Sequence, residues 1–260
     1  MRAAAAGFLA RAVRVVGAAL LFSAIAAAAA FGGMHGRRYL LTSPRFAVER
    51  ITFEGTVHAS REELLRLSGL AVGDNIFELD SEAAESGMAS HPWVQRVYVE
   101  RDYPRHIAIR VLEHTPAALA EMERLYFVNE QGKPFKKVSP GEEVDLPILS
   151  GVTREAYLAD EAEVEGLFRR AIEALAVYRE EGLEKTHPVS EVKVDAREGL
   201  TFYCGNDAVA VALGQENYRE KFERLQRLFG ELQRRGARAE VIRLDNRTRP
   251  GWVAVQLAGQ

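Results

Sequence analysis

The chain has 260 residues, 47% of them apolar, with 34 basic and 37 acidic side chains and a formal net charge of −3. Residues 1–41 hold five arginines and no acid, which leaves 29 basic against 37 acidic side chains in the remainder, a net of −8. An acidic body repels phosphate backbones, so no nucleic-acid partner is expected; the single Cys204 excludes an internal disulfide and a cysteine-built metal site.

Val15 to Met34 runs twenty residues without a charge. At 1.5 Å per residue such a helix is about 30 Å long, the thickness of a bilayer's hydrocarbon core. The run predicts an uncleaved transmembrane helix over 15–34 behind a tail at 1–14. A cleaved secretory leader competes, with small residues at Ala26–Ala30, but its apolar core is usually only about 7–15 residues. Arg2, Arg11 and Arg14 precede the run and Arg37, Arg38 and Arg45 follow it, so charge gives only a slight preference for a cytoplasmic N-terminus. The mass after residue 34 falls on the far side.

Residues 44–116 read as a module. Phe46, Val48, Ile51 and Phe53 mark an extended segment that stops at Gly55. Ser60 and Glu63 have capping-box spacing, and Gly69 suits the left-handed residue that ends a helix. Asp80 caps a second short helix, which Pro92 bars from continuing. Val94, Val97 and Val99 then lead through Asp102-Tyr103-Pro104 to Ile107, Ile109 and Val111, an alternation with one buried face. Trp93 and Phe77 read as core anchors. The predicted order is β-α-α-β-β, closed by Glu113-His114-Thr115-Pro116.

Residues 117–257 form a second unit. Leu125–Val128 and the Asn129–Gly132 turn predict a hairpin, and Leu146–Leu149 a short extended piece. Val164, Leu167, Phe168, Ala171, Ile172, Leu175 and Tyr178 recur at helical spacing. Strands follow at 189–195, 200–204 and 209–213, then a helix carrying Tyr218 to Leu232. The last two strands, 239–244 and 252–257, flank the basic turn Asp245–Gly251. The fold class is α+β throughout.

Three stretches, in order and correctly spaced, carry a family likeness: Gly69-Leu70…Gly73…Asn75-Ile76-Phe77…Asp80, His91-Pro92-Trp93-Val94 and Arg101-Asp102-Tyr103-Pro104. The module resembles a POTRA domain of the kind found in the FtsQ/DivIB cell-division proteins, and the layout of anchor, POTRA domain and β domain extends the likeness over most of the chain. The resemblance implies a non-enzymatic, single-pass inner-membrane scaffold at the division septum, with its N-terminus cytoplasmic and its bulk periplasmic. It implies FtsB- and FtsL-like partners, the first added as a strand at the end of the β domain. Arg243 and Asp245 match the family's stretch before the last turn, and Gly251-Trp252 its close. Partner-binding residues are thereby expected at Arg243, Asp245, Arg247, Trp252, Val253, Ala254 and Val255. Leu244 stands where relatives often have tyrosine. From the residues alone Trp252 is equally a packed or an available side chain; the resemblance favours the partner.

No phosphate loop, His-Glu-x-x-His or Gly-x-Ser-x-Gly appears, so neither cofactor nor metal is expected. The six histidines read as structural, Cys204 with His187 as a buried cysteine rather than a nucleophile and its base, and Glu62/Glu63 and Glu142/Glu143 as solvated faces. The rival reading is a docking module of a secretion or outer-membrane assembly system. Such chains usually carry several POTRA copies and a barrel of alternating strands, and one copy is visible here.

Overall fold

A computed structural model describes residues 2–246, 248–249 and 251–259, with the side chains of the first helix described from Leu20 onward. The chain divides into two units, 1–113 and 114–260.

In the first unit α1 (Arg2–Thr42) is one unbroken helix. Among the described residues no helix is long and apolar enough to cross a membrane; Val15, Val16, Ala18 and Ala19 of the expected span lie outside the described side chains. Leu20, Leu21, Phe22, Ile25, Phe31 and Met34 are each more than half exposed. The helix stops at Pro44, which cannot supply the next N–H. Ser43 is the only residue between α1 and a short 3-10 turn at Pro44–Phe46.

Phe46 and Val48 are therefore not in the first strand. Val48 N–H goes to Asp74 O and its carbonyl accepts from Gly73, so this stretch pairs with a loop. The sheet is built from β1 (Arg50–Glu54), β2 (Val94–Asp102) and β3 (His106–Glu113), ordered β1-β3-β2. β1 runs parallel to β3 and β2 antiparallel. A parallel pair needs a crossover, which here contains α2 (Arg61–Ser68) and α3 (Ser81–Ala89). Ser60 and Asp80 cap these helices through Glu63 N–H and Ala83 N–H, and Gly69 takes φ +68°. The two helices meet at Gly87, where a methyl group would sit 2.1 Å from the Leu67 carbonyl oxygen.

Trp93 is buried and stacks on His58 at 3.9 Å. Phe77 is half-buried, between Phe46 and Tyr103. At the end of β3, Glu113 accepts the N–H groups of Val57, His58 and Ala59 at 2.9–3.0 Å, and the His58 ring at 2.9 Å. Burial alone would raise this carboxyl; the three backbone donors and His58 outweigh it and hold it below the ordinary 4.5.

The second unit is a nine-stranded sheet. Its strands are β4 (Pro116–Met122), β5 (Arg124–Asn129), β6 (Pro134–Lys137), β7 (Ile148–Ser150), β8 (Val189–Asp195), β9 (Gly199–Cys204), β10 (Val209–Gly214), β11 (Ala239–Arg243) and β12 (Ala254–Leu257). Their order is β12-β11-β10-β9-β8-β7-β4-β5-β6. Pro116 thus opens β4 of this sheet. Parallel pairing of β7 with β8 is bridged by α4 (Arg154–Ala159) and α5 (Glu161–Glu180), and that of β10 with β11 by α6 (Tyr218–Arg235). Both long helices cover one face, where Phe168, Leu175 and Tyr178 of α5 and Phe222 and Leu225 of α6 join Val192, Phe202, Val211 and Ile242 in the core. Tyr178 meets Phe222 edge-on at 5.1 Å. The intervening residues Lys193, Thr201, Ala210, Ala212 and Arg243 belong to the other, open face.

Replacing Trp93 with alanine should lower the stability of the first unit by about 3–5 kcal/mol, the usual cost of a large aromatic deletion. Denaturant-dependent amide exchange of β2 and β3 measures it, and a loss below about 1 kcal/mol contradicts a core position. The Glu113 carboxyl is depressed on folding, so its contribution is present above the unfolded value and disappears as pH falls through the lower folded value. The protection of Val57–Ala59 amides relative to their intrinsic exchange should fall on acidification below 4.5, and Glu113→Gln should remove that dependence.

Candidate partner-binding edge

The geometry of the sheet's end follows from α6. Because this helix returns the chain to run parallel to β10, β11 emerges beside it, and the next strand can add only on the outer side. β12 does so antiparallel, with Arg243 opposite Ala254, Ile242 opposite Val255 and Val241 opposite Gln256. In this register Val255 shares the helix-covered face with Ile242 and packs against the core, while Ala254 and Gln256 share the open face with Arg243. β12 is the terminal strand of the order, and among the described residues no strand lies beyond it.

The expected strand at 252–257 begins two residues late. Trp252 N–H donates to Arg249 O at 2.9 Å, which commits that backbone to a turn, and the Arg249 guanidinium lies 4.6 Å from the indole centroid. Trp252 is 62% exposed and outside the core. Val253 is half-buried against the core, just before the strand. Leu244, by contrast, is 1% exposed, with its N–H on Ala212 O at 2.8 Å. An apolar residue is held inside at this position, so it presents no side chain to a partner.

Arg243 is exposed, and with the half-buried Asp245 it lines a cleft of about 830 Å³. Thr201, Ala210 and Ala212 of the sheet, Gly214, Gly251, and Lys221 and Arg224 of α6 also line it. Arg247 lies outside the described residues. Of the expected residues, Arg243 and Asp245 thus line the cleft, Ala254 and Val255 lie on the edge strand, and Trp252 tops the turn that precedes it.

Lys221 and Gly214 were missed. Lys221 is buried, and its Nζ donates to Leu213 O at 2.6 Å and Glu216 O at 2.7 Å, holding the loop after β10. Burial, helped by Arg224, pushes its amine below the ordinary value. Its only trace in the sequence is a charge on the apolar side of α6, next to Phe222. Gly214 has φ +72°, and a methyl group there would come within 3.3 Å of Asp245 Cβ. A side chain at Gly214 would crowd Asp245 and would have to adopt a left-handed backbone, so glycine suits the close approach of the loops at 214–217 and 244–246.

Elsewhere the chemistry is quiet. Cys204 is buried with Sγ 3.7 Å from Val209 O, and burial pushes its thiol up to about 11. His187 stacks on Phe229 at 3.8 Å. Among the described residues no group of three metal-ligating side chains lies together.

Residues 46–114 match the family described as POTRA domain, FtsQ-type, and residues 118–247 match Cell division protein FtsQ/DivIB, C-terminal. The chain belongs to the FtsQ/DivIB family. It is 42% identical to the cell division protein FtsQ of Myxococcus fulvus over 88% of this chain and 80% of that protein. It is 37% identical to FtsQ of an Anaeromyxobacter species over 93% and 83%. A DivIB protein of Paenibacillus polymyxa is 33% identical over 40% of the chain. As an FtsQ/DivIB protein the chain has a role in the divisome. The C-terminal family match stops at residue 247; Arg243 and Asp245 fall inside it and β12 beyond it.

Trp252→Ala should leave the unfolding free energy within about 0.5 kcal/mol, as for an exposed side chain. Leu244→Ala should cost about 2–5 kcal/mol. Equilibrium denaturation of both variants compares them, and a large loss for Trp252→Ala contradicts its placement outside the core.

Proposed function

We propose that this FtsQ/DivIB chain is a non-enzymatic, membrane-anchored scaffold of the divisome that binds FtsB- and FtsL-like proteins at β12, the first of them as an added strand. The observation that carries the reading is the open end of the nine-stranded sheet. A terminal strand leaves one row of backbone N–H and C=O groups to be satisfied from outside.

The two ends of the sheet differ in a way that favours β12. The far edge, β6, begins with Pro134 and carries Lys136 and Lys137, residues that discourage strand addition. β12 reads Ala-Val-Gln-Leu with no charge, and Leu257 is half exposed. Arg243 and the exposed indole of Trp252 flank it, the residue types that anchor interfaces. The partner's incoming segment carries an acid for Arg243, and Trp252 to Val255 border the new strand.

Anchoring is supported by α1, whose described apolar side chains have no protein to pack on. A bilayer gives such a surface its solvent. In this reading the chain crosses the inner membrane once near residues 15–34, with the N-terminus cytoplasmic, both units periplasmic and the molecule at the septum. A role in secretion or outer-membrane assembly fits less well, because the sheet is open rather than closed into a barrel and the cell-division family matches both units.

Arg243→Glu and Trp252→Ala in the full-length protein should each weaken binding to the FtsB/FtsL-like proteins of the same cell by about 2 kcal/mol or more, roughly thirtyfold. Affinity and thermal melting are measured together. Unchanged melting with unchanged affinity would move the docking site off this edge.

A further inference from the structure

The end of the first unit that joins α1 is held to the helix without slack. Asn75 Nδ2 donates to the carbonyls of Leu40 and Leu41, both at 2.8 Å. These are among the C-terminal carbonyls that a helix cannot satisfy internally. Asn75 Oδ1 in turn accepts Phe77 N–H at 2.9 Å, and Ile76 N–H goes to Phe46 O at 2.9 Å. The loop around 71–77 is thereby tied to both the helix end and the 3-10 turn that follows.

This end has a composition unlike the rest of an acidic molecule. Tyr39, Leu40, Val72 and Tyr103 are exposed, at 53%, 39%, 65% and 54%. Tyr103 stacks on Phe77 at 5.3 Å, and Phe77 meets Phe46 edge-on at 5.0 Å, so an aromatic row backs the surface. Arg37, Arg38 and Arg45 are exposed beside it. Arg45 and Arg105 line a shallow concavity of about 520 Å³ whose other walls are Pro44, Phe46 and Pro104.

Three acids of this end are engaged, and the exposed Glu78 stands outside any ion pair among the described residues. Glu49 pairs with Arg105 at 2.5 Å, Asp74 accepts Ala71 N–H at 2.8 Å, and Asp102 lies 3.0 Å from the His106 ring. Arg105 also donates to Pro44 O at 3.1 Å. Glu49 thus offsets Arg105, while Arg37, Arg38 and Arg45 are exposed with no ion pair to an acid among the described residues.

We propose that this end of the POTRA unit is a lipid-headgroup surface, on which tyrosines and Val72 enter the interfacial layer while the arginines meet anionic phospholipid phosphates. The proposal rests on the anchoring of α1 put forward above, because a helix in the bilayer clamped through Asn75 brings this surface to the headgroups. Tyrosine at the water–lipid boundary and basic side chains over an anionic leaflet are the two recurring interfacial signatures. The partner is thus the membrane itself, and the contact fixes the stance of the first unit on it.

The test uses the full chain in nanodiscs of phosphatidylcholine alone and of phosphatidylcholine with phosphatidylglycerol. Amide exchange is followed at residues 71–77 and 102–106. Exchange should slow in the anionic discs, and each reversed charge should weaken that protection about fivefold, the effect of one basic residue at such a surface. Arg45→Glu is the primary variant, since that side chain is exposed; Tyr103→Ser is the second. Exchange in the middle of β2 and β3, unchanged in both, shows that the fold persists. Equal exchange in the two discs overturns the proposal, as does equal protection produced by inorganic phosphate with zwitterionic discs. A chain that leaves the discs overturns the anchor as well; one that stays with unaltered exchange overturns the headgroup contact alone.

Discussion

Parallel pairing of β10 with β11 is the constraint on which the open end of the second unit's sheet depends. Two adjacent strands can run parallel only if the connecting chain crosses over a face of the sheet. α6 makes that crossing, and its Phe222, Leu225 and Phe229 are buried on arrival. With β9 already on one side of β10 and β11 on the other, the chain after β11 has only the outer side available. β12 is therefore an edge by topology. Its short, uncharged sequence leaves the edge open, while proline and lysines blunt the opposite end of the sheet.

The same helix shapes the cleft next to this edge. A lysine in a largely apolar face costs desolvation, and Lys221 is tolerated because its ammonium fills two carbonyl sites at the end of β10. Gly214 then lets the loop before α6 approach Asp245, beside Arg243. Arg243 and Asp245 consequently sit on a supported rim rather than on a free loop. Trp252 differs: its turn bond to Arg249 and its stacked guanidinium keep it at the surface.

Much of this was legible in the residues. The capped helices at Ser60 and Asp80 were readable because capping is a local, side-chain-to-backbone event, and β2, β3 and β8 to β11 because alternation reports one buried face. β4 was not, since Pro116-Ala117-Ala118 has little strand character and is held by long-range pairing with β5 and β7. Val48 misled for a related reason: an apolar residue beside a strand pairs with the loop at 73–74 instead of the sheet. Arg243 and Asp245, expected from family likeness, line the cleft beside β12. Lys221 and Gly214 act through contacts between segments far apart in sequence, which no local pattern encodes. The beginning of β12 was placed too early because the Trp252 turn bond competes with the ladder.

The central claim is that β12 is an unsatisfied edge completed by a partner strand. Residue-resolved amide exchange across Ala254–Leu257, in the free full-length protein and with the proposed FtsB/FtsL-like proteins added, tests this most directly. The account predicts fast exchange in the free protein and strong new protection at alternate residues of β12 in the complex, with β6 unchanged. Protection confined to other strands, with β12 exchanging alike in both states, would contradict it.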